Sequence, residues 1–418
     1  MQWDTDVVII GAGAAGLSAA KELARRGYSC KVVEGSHRIG GRAYSEEISP
    51  GVWFDLGCAW LVGGATNPFT AIADELGIAL SKDKSDLFVL ENLRFQRNGR
   101  PLDDEQRAAC LRYYDDSYAA ISSAAKQGQD VAISDVVDIA NEYAPPFLSG
   151  IASAWGMDID LVSTADFASA TGELGFQALH GYGNLVAAWG ADVNVSLNNQ
   201  AERVDWSGDG VIVTTPKGTI MGRVALITVS TGMLASGDIR FHPDLPVWKT
   251  EAIYDLPMGT ENKIGVHFDT DVFGADGRGF FSTWNDDGSA AKVDVSVMGF
   301  NTASVFVGGR LGVWLEKQGQ RACHDFAVNR IADIFGNNVR KHVDRCIATA
   351  WNTEPWTGGS WACAKPGAAH QRAALARSVD ERLFFAGEAT VYYGQGTCHG
   401  AYQSGIRAGH EIAEQLAS

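Results

Sequence analysis

"TDVVIIGAGAAGLSAAKELARRGYSCKVVEGSHRIGGRAYS", residues 5–45, decides the fold. Val7 to Ile10 form an unbroken apolar run, as a strand buried on both faces of a parallel sheet requires. Gly11, Gly13 and Gly16 space a GxGxxG turn, and Leu17 to Arg26 read as a helix that Gly27 stops. Lys31 to Val33 make the next strand, and Glu34 stands at its end, near the separation of roughly 20 residues from the glycines that ribose recognition needs. The glycines let the backbone approach a pyrophosphate, whose charge settles on the helix N-terminus. GxGxxG alone is weak, but strand, turn, helix, strand and acid in this order predict a dinucleotide-binding unit.

The 418 residues exceed one compact core and predict two or three domains. Apolar and charged contents of 46% and 20% are those of an ordinary globular protein. A net charge of −16 with no opposing Lys/Arg cluster argues against nucleic acid and anionic membranes. No secretory signal is visible, and no apolar run approaches the roughly 18 residues of a spanning helix. Seven cysteines stand singly without a CxxC, which predicts reduced thiols and a cytoplasmic location. The nine histidines show no ligand spacing, so no metal is expected.

In "HRIGGRAYS" the Gly40–Gly41 pair lies between Arg38 and Arg42, suiting a second approach of backbone and guanidinium to phosphate. This run resembles the RxGGR signature of the two-dinucleotide-binding flavoproteins, which implies FAD. A second GxGxxG for a pyridine nucleotide is not found: "FVGGRLG" and "YYGQGTCHG" both fail the spacing. Near the C-terminus, Leu383 to Ala386 read as a buried strand, Gly387–Glu388 as a turn, and Gly400 onward as a helix with small residues on one side.

With these segments, "FDLGCAWLVGG", "LHGYGNLVAAW", "AERVDW", "LITVSTGMLASGDIRFHPDLP", "LPMGTENKIGVHF", "EPWTGGSW" and "FFAGEATVYYGQGTCHGAYQSG" follow in one order. In that order the chain resembles the flavin-dependent amine oxidase family, which spans monoamine and polyamine oxidases and lysine-specific histone demethylases. The resemblance implies an α/β Rossmann-type, two-dinucleotide-binding FAD domain with a mixed α+β substrate domain. It assigns to the cofactor Gly11, Gly13, Ala14, Ala15, Gly16, Glu34, Gly35, Arg38, Gly40, Gly41 and Arg42. Gly57, Cys58, Ala59 and Trp60 join them, with Trp356, Gly387, Glu388, Thr397, Cys398 and Ala401. Val204 would offer backbone bonds to adenine.

Lys263 heads an otherwise apolar strand, with Ile264, Val266 and Phe268 alternating on the opposite face. By pattern alone it is a solvated strand end. The resemblance instead makes it the catalytic lysine that holds a water at flavin N5 and places positive charge near oxygen. Aromatic side chains exclude water and attract ammonium-like groups, so Trp361, Trp60, Tyr392 and Tyr393 are expected to wall the amine pocket with Thr397. Trp351 and Trp356 fit core packing equally well. Two departures from the monoamine oxidases stand out. Ser360 replaces a flavin-bonded cysteine, so FAD is expected to be non-covalent, and Thr397 replaces the second aromatic of the substrate sandwich. His180 and His399 read more simply as structural histidines.

The expected activity is FAD-dependent oxidation of a primary or secondary amine, with oxygen reduced to hydrogen peroxide. The alternative is a flavin dehydrogenase or desaturase of the same superfamily that uses a non-oxygen acceptor or acts on an amino acid or a C–C bond. The partners expected are a small amine and O2, with no nucleic acid or membrane, in a monomer or homodimer. The FAD domain is expected from residues 1–66, 190–242 and 375–418, and the substrate domain from 67–189 and 243–374. Residues 67–80, 104–127, 134–144 and 321–336 read as helices, and 194–230 as a β-meander.

Overall fold

The computed structural model describes residues 3–81, 90–170, 175–274, 277–296 and 298–418. Two sheets organise it. The strand Thr5–Ile10 lies parallel between Cys30–Val33 and the long strand Gly218–Ile227, with Ile10 level with Val33 and Ile227. All four residues Val7 to Ile10 are essentially inaccessible, which explains the unbroken apolar run. Gly218–Ile227 serves two purposes along its length. Its first half closes an antiparallel meander with Val211–Thr215 and Arg203–Asp205, and its second half pairs with both Thr5–Ile10 and Leu383–Phe385. Arg240–His242 and Val195–Ser196 complete the sheet at its two edges.

The helix Ala14–Arg25 packs along the C-terminal helix Cys398–Ala417. Small residues make this possible: a Cβ on Gly405 would lie 2.1 Å from both Ala15 O and Ser18 Oγ. Ser18 Oγ donates to Tyr402 O at 2.8 Å, tying the two helices together.

The second sheet has seven strands, ordered Val343–Ala348, Glu261–Phe268, Thr302–Gly308, Ala290–Val295, Gly279–Trp284, Arg94–Arg97 and Arg100–Pro101. Its two faces differ. Ile264, Val266, Val293, Val305 and their neighbours pack against the helix Gln320–Phe335. The alternate residues, Glu261, Lys263, Lys292, Asp294 and Phe306, lie on the other face, which the helix Ala144–Trp155 covers in part.

Most of the expected helices form, as Pro68–Leu76, Asp104–Lys126 and Gln320–Phe335. The helix expected over 134–144 does not. Asp138 and Asn141 turn the chain by accepting from Ala140 N and Tyr143 N, and the helix starts at Ala144 instead. Pro145 and Pro146 fall in its first turn, where their missing N–H groups cost nothing.

Candidate active site

A cavity of about 930 Å³ runs between the two sheets. At one end the glycine turn forms its wall. Gly11 has a φ of +106°, and a Cβ on it would sit 2.6 Å from Thr228 Oγ1. Gly13 caps the helix Ala14–Arg25 with no side-chain bond, so the leading N–H groups of that helix remain available. Ala14 and Ala15 also line the cavity. Gly16 does not; its Cβ would lie 2.0 Å from Gly11 O, so it is there for helix–strand packing.

Glu34 is buried and accepts from Ala12 N at 2.7 Å and Ser36 N at 2.8 Å, one bond per oxygen, leaving capacity for further donors. Gly35 meets the indole of Trp356, where a Cβ would come within 2.5 Å of the ring. Arg38 lies over the Tyr44 ring at 3.8 Å and donates to Gly41 O at 2.8 Å. Val204 takes a different place from the one expected. It is fully buried between Val213 and Phe241 in the sheet, and Gln200, Ala201 and Glu202 line the cavity instead.

Midway, Arg42 donates to Glu388 Oε1 at 2.8 Å and Ser360 O at 2.9 Å. The buried Glu388 carboxylate also accepts from Ala362 N at 3.1 Å and Gly396 N at 3.0 Å. This one carboxylate therefore joins the RxGGR loop, the 360–362 segment and the start of the C-terminal helix. Gly40, Gly41, Gly57, Ala59, Trp60, Gly387 and Ala401 line the same stretch. The Cys58 and Cys398 side chains meet there, and their hydrogen bond together with burial pushes the Cys58 thiol well above its ordinary range.

Lys263 enters from the second sheet, 8% exposed, and its Nζ donates to Asp55 O at 3.3 Å and to Gly57 O. Asp55 is itself fully buried, accepts from Tyr182 N at 2.8 Å, and is pushed up to about 6 by burial. At this end the lining is aromatic: Trp361, Trp155, Phe167, Phe306 and Trp60. The Trp155 and Phe167 rings pack tilted against each other, with centroids 4.3 Å apart. Thr397 lines the cavity too, but its hydroxyl caps the C-terminal helix, accepting from Gly400 N at 3.0 Å and donating to Gly394 O at 2.6 Å.

Tyr392 and Tyr393 do not reach the cavity, contrary to expectation. The chain bulges outward after the turn Glu388–Thr390 and returns through Gly394 and Gly396, both at positive φ, leaving Tyr393 71% exposed on the outside. His180 is exposed and His399 half-buried, and neither lines the cavity. Trp155, Phe167, Phe306, Lys292 and Asp294 line it without having been singled out in the sequence. For Lys292 and Asp294 a signal existed: polar residues two apart in the apolar strand "AAKVDV".

An uncapped helix N-terminus, a buried acid and side-chain-free glycine backbone at one end, and a lysine among aromatics at the other, fit an extended dinucleotide carrying a flavin. The family model for flavin containing amine oxidoreductase matches residues 14–413. The chain belongs to that family. As a flavin-containing amine oxidoreductase it uses FAD and is an amine oxidase. It is 27% identical to polyamine oxidase 4 of Oryza sativa subsp. japonica, over 98% of this chain and 89% of that protein. It is also 27% identical to lysine-specific histone demethylase 2 of Homo sapiens, of which it spans 53%. Among solved structures, cyclohexylamine oxidase from Brevibacterium oxydans IH-35A superimposes with a TM-score of 0.84 at 19% identity, over 99% of this chain and 100% of that one. Putrescine oxidase bound to putrescine gives 0.79 at 19%, over 99% of both chains. At these identities the superpositions establish the fold.

Proposed function

We propose that this amine oxidase removes a hydride equivalent from the carbon beside a neutral primary or secondary amine. The imine formed hydrolyses, and the electrons pass to O2, giving hydrogen peroxide. FAD supplies the two-electron chemistry when bound, taking the hydride at N5 and returning electrons to oxygen. In this reading the N-terminus of the helix Ala14–Arg25 and Arg42 hold the pyrophosphate, Glu34 the ribose, and Glu388 with the Cys398 turn the flavin end. Residues 1–66, 190–242 and 375–418 then form the cofactor domain, and 67–189 with 243–374 the substrate domain.

The observation that carries the reading is the placement of Lys263. Two backbone carbonyls of residues 55–57 hold its Nζ in the cavity wall, beside the aromatic lining. A fixed ammonium there can orient a water and stabilise negative charge developing on oxygen. Trp361, Trp155 and Phe167 exclude bulk water and hold the amine. Ser360 supports non-covalent FAD: its hydroxyl donates to Gly259 O at 2.9 Å and accepts from Glu261 N at 3.0 Å, and it has no thiol to bond the ring.

The test is an anaerobic panel of primary, secondary and diamine substrates. The yellow protein should bleach with at least one, then recover in air with stoichiometric peroxide. If none reduces the flavin, the reading fails. Acid precipitation should leave the flavin in the supernatant; flavin in the pellet would refute the non-covalent assignment.

A further inference from the structure

The cavity-facing side of the second sheet carries charges besides Lys263 that the reading above does not use. Lys263, Phe306 and Lys292 are directly opposite one another on three successive strands, and both lysine Nζ atoms lie 6.0 Å from the centroid of the Phe306 ring. Glu261 is two residues before Lys263 and Asp294 two after Lys292, so all four charged residues share this face. Asp294 is 6% exposed, lines the cavity, and its Oδ1 is buried with no hydrogen-bond partner. An orphaned buried acceptor is costly unless something that visits the site satisfies it.

The visitor has the complementary chemistry. An alkylamine has a pKa of about 10, like a lysine side chain, so it arrives protonated. Hydride removal needs the neutral amine, and a proton must leave inside a cavity whose aromatic lining excludes water. We propose that Asp294 accepts that proton. The transfer is R–CH2–NH3⁺ plus Asp294 carboxylate giving R–CH2–NH2 plus Asp294 carboxylic acid, with no further reactant. This rests on the amine-oxidation reading of the site.

The surroundings suit the role. Lys292 on its own strand and Lys263 two strands away, at about 10 Å of strand spacing, favour the ionised form, and Glu261 opposes it. Ser304 and Phe280 lie opposite Asp294 on the flanking strands. From the helix Asp104–Lys126, Tyr114 reaches Ser282 on this face. The helix Ala144–Trp155 carries no titratable side chain. Burial outweighs the lysines and pushes Asp294 up to about 7, so it is largely ionised at pH 8 and open to receive a proton, and a better base than an ordinary carboxylate.

Two measurements on the FAD-loaded enzyme test this. tert-Butylamine has no hydrogen on the carbon beside nitrogen and cannot be oxidised. Its binding at pH 8, followed calorimetrically in buffers of different ionisation enthalpy, should release no net proton from the wild-type complex. Asp294→Asn should release about one proton per amine bound, and Asp294→Glu should return the count to zero. In anaerobic mixing with an oxidisable amine, the second-order rate of flavin reduction should level off above pH 7 in the wild type. In Asp294→Asn it should keep rising about tenfold per pH unit towards the pKa of the free amine. Glu261→Gln should shift the bend in the wild-type profile and keep the plateau. An unchanged proton count and plateau in Asp294→Asn, or their loss in Glu261→Gln instead, overturns the proposal. If no amine reduces the wild-type flavin, it is the amine-oxidation reading that fails.

Discussion

Lys263 shows how one residue changes meaning with its surroundings. Within its strand it is an alternating polar position; in the fold, its Nζ is fixed by carbonyls from residues 55–57, more than 200 positions earlier. Lys263→Met should slow reoxidation of reduced flavin by on the order of 100-fold, a typical cost of losing one preorganised electrostatic contact, while anaerobic reduction changes far less. Stopped-flow traces of both half-reactions decide it, and equal slowing would refute an oxygen-side role. Glu388 is the other residue on which several segments converge, bonded to Arg42, Ala362 and Gly396. Glu388→Ala strands a guanidinium and two N–H groups and should weaken FAD retention by at least tenfold in equilibrium dialysis. The glycine turn, Glu34 and Arg42 could be singled out from short motifs whose chemistry is local, whereas Glu388 and Lys263 were singled out only through the family resemblance, since Lys263 by pattern alone is a solvated strand end. Asp294, Lys292, Phe306 and Trp155 were not singled out, because they meet only when strands and a helix from different parts of the chain assemble. Tyr392 and Tyr393 misled for the opposite reason: proximity in sequence to Thr397 concealed a bulge that keeps both off the cavity and turns Tyr393 outward.

Among the elements, the packing of the helix Ala14–Arg25 is governed by atoms that are absent. Gly16 allows it to meet the dinucleotide turn at Gly11, and Gly405 allows the C-terminal helix to meet it, at approaches that a methyl group, 2.0 and 2.1 Å from the facing backbone, would block. Gly16→Ala should lower stability by about 1–3 kcal/mol, the range for overpacking a tight site, and the loss should appear in denaturant unfolding of the FAD-free protein as well as the holoenzyme. A loss seen only with FAD bound would place Gly16 at the cofactor. The helical and strand periods foretold most elements. The stretch 134–144 failed because short polar side chains there bond the backbone and outcompete a helix that apolar spacing alone suggested.

Across the whole molecule, the buried pair Asp166–Arg372 joins parts that the sequence keeps far apart. Both side chains are inaccessible; Asp166 also accepts from Ala364 N at 3.0 Å, and Arg372 donates to Ala362 O at 2.9 Å and Ala389 O at 3.3 Å. Asp166→Ala should cost about 3–5 kcal/mol, because it leaves a buried guanidinium uncompensated; chemical denaturation measures it. Stability should also depend on pH through the cavity floor. Burial raises Glu261 and Asp294 to about 7 in the folded protein, so between about pH 4 and 7 the folded state holds protons that the unfolded chain has released, and stability falls as pH rises through that window. Asp294→Asn should therefore raise the melting temperature more at pH 8 than at pH 5. The same two-faced sheet separates folding from chemistry along a single strand. Residues 264, 266, 293 and 305 belong to the core, while 261, 263, 292, 294 and 306 belong to the cavity. A combinatorial library confined to Glu261, Lys292 and Phe306 can search for new amine preferences while leaving Lys263, Asp294 and every residue of the apolar face in place.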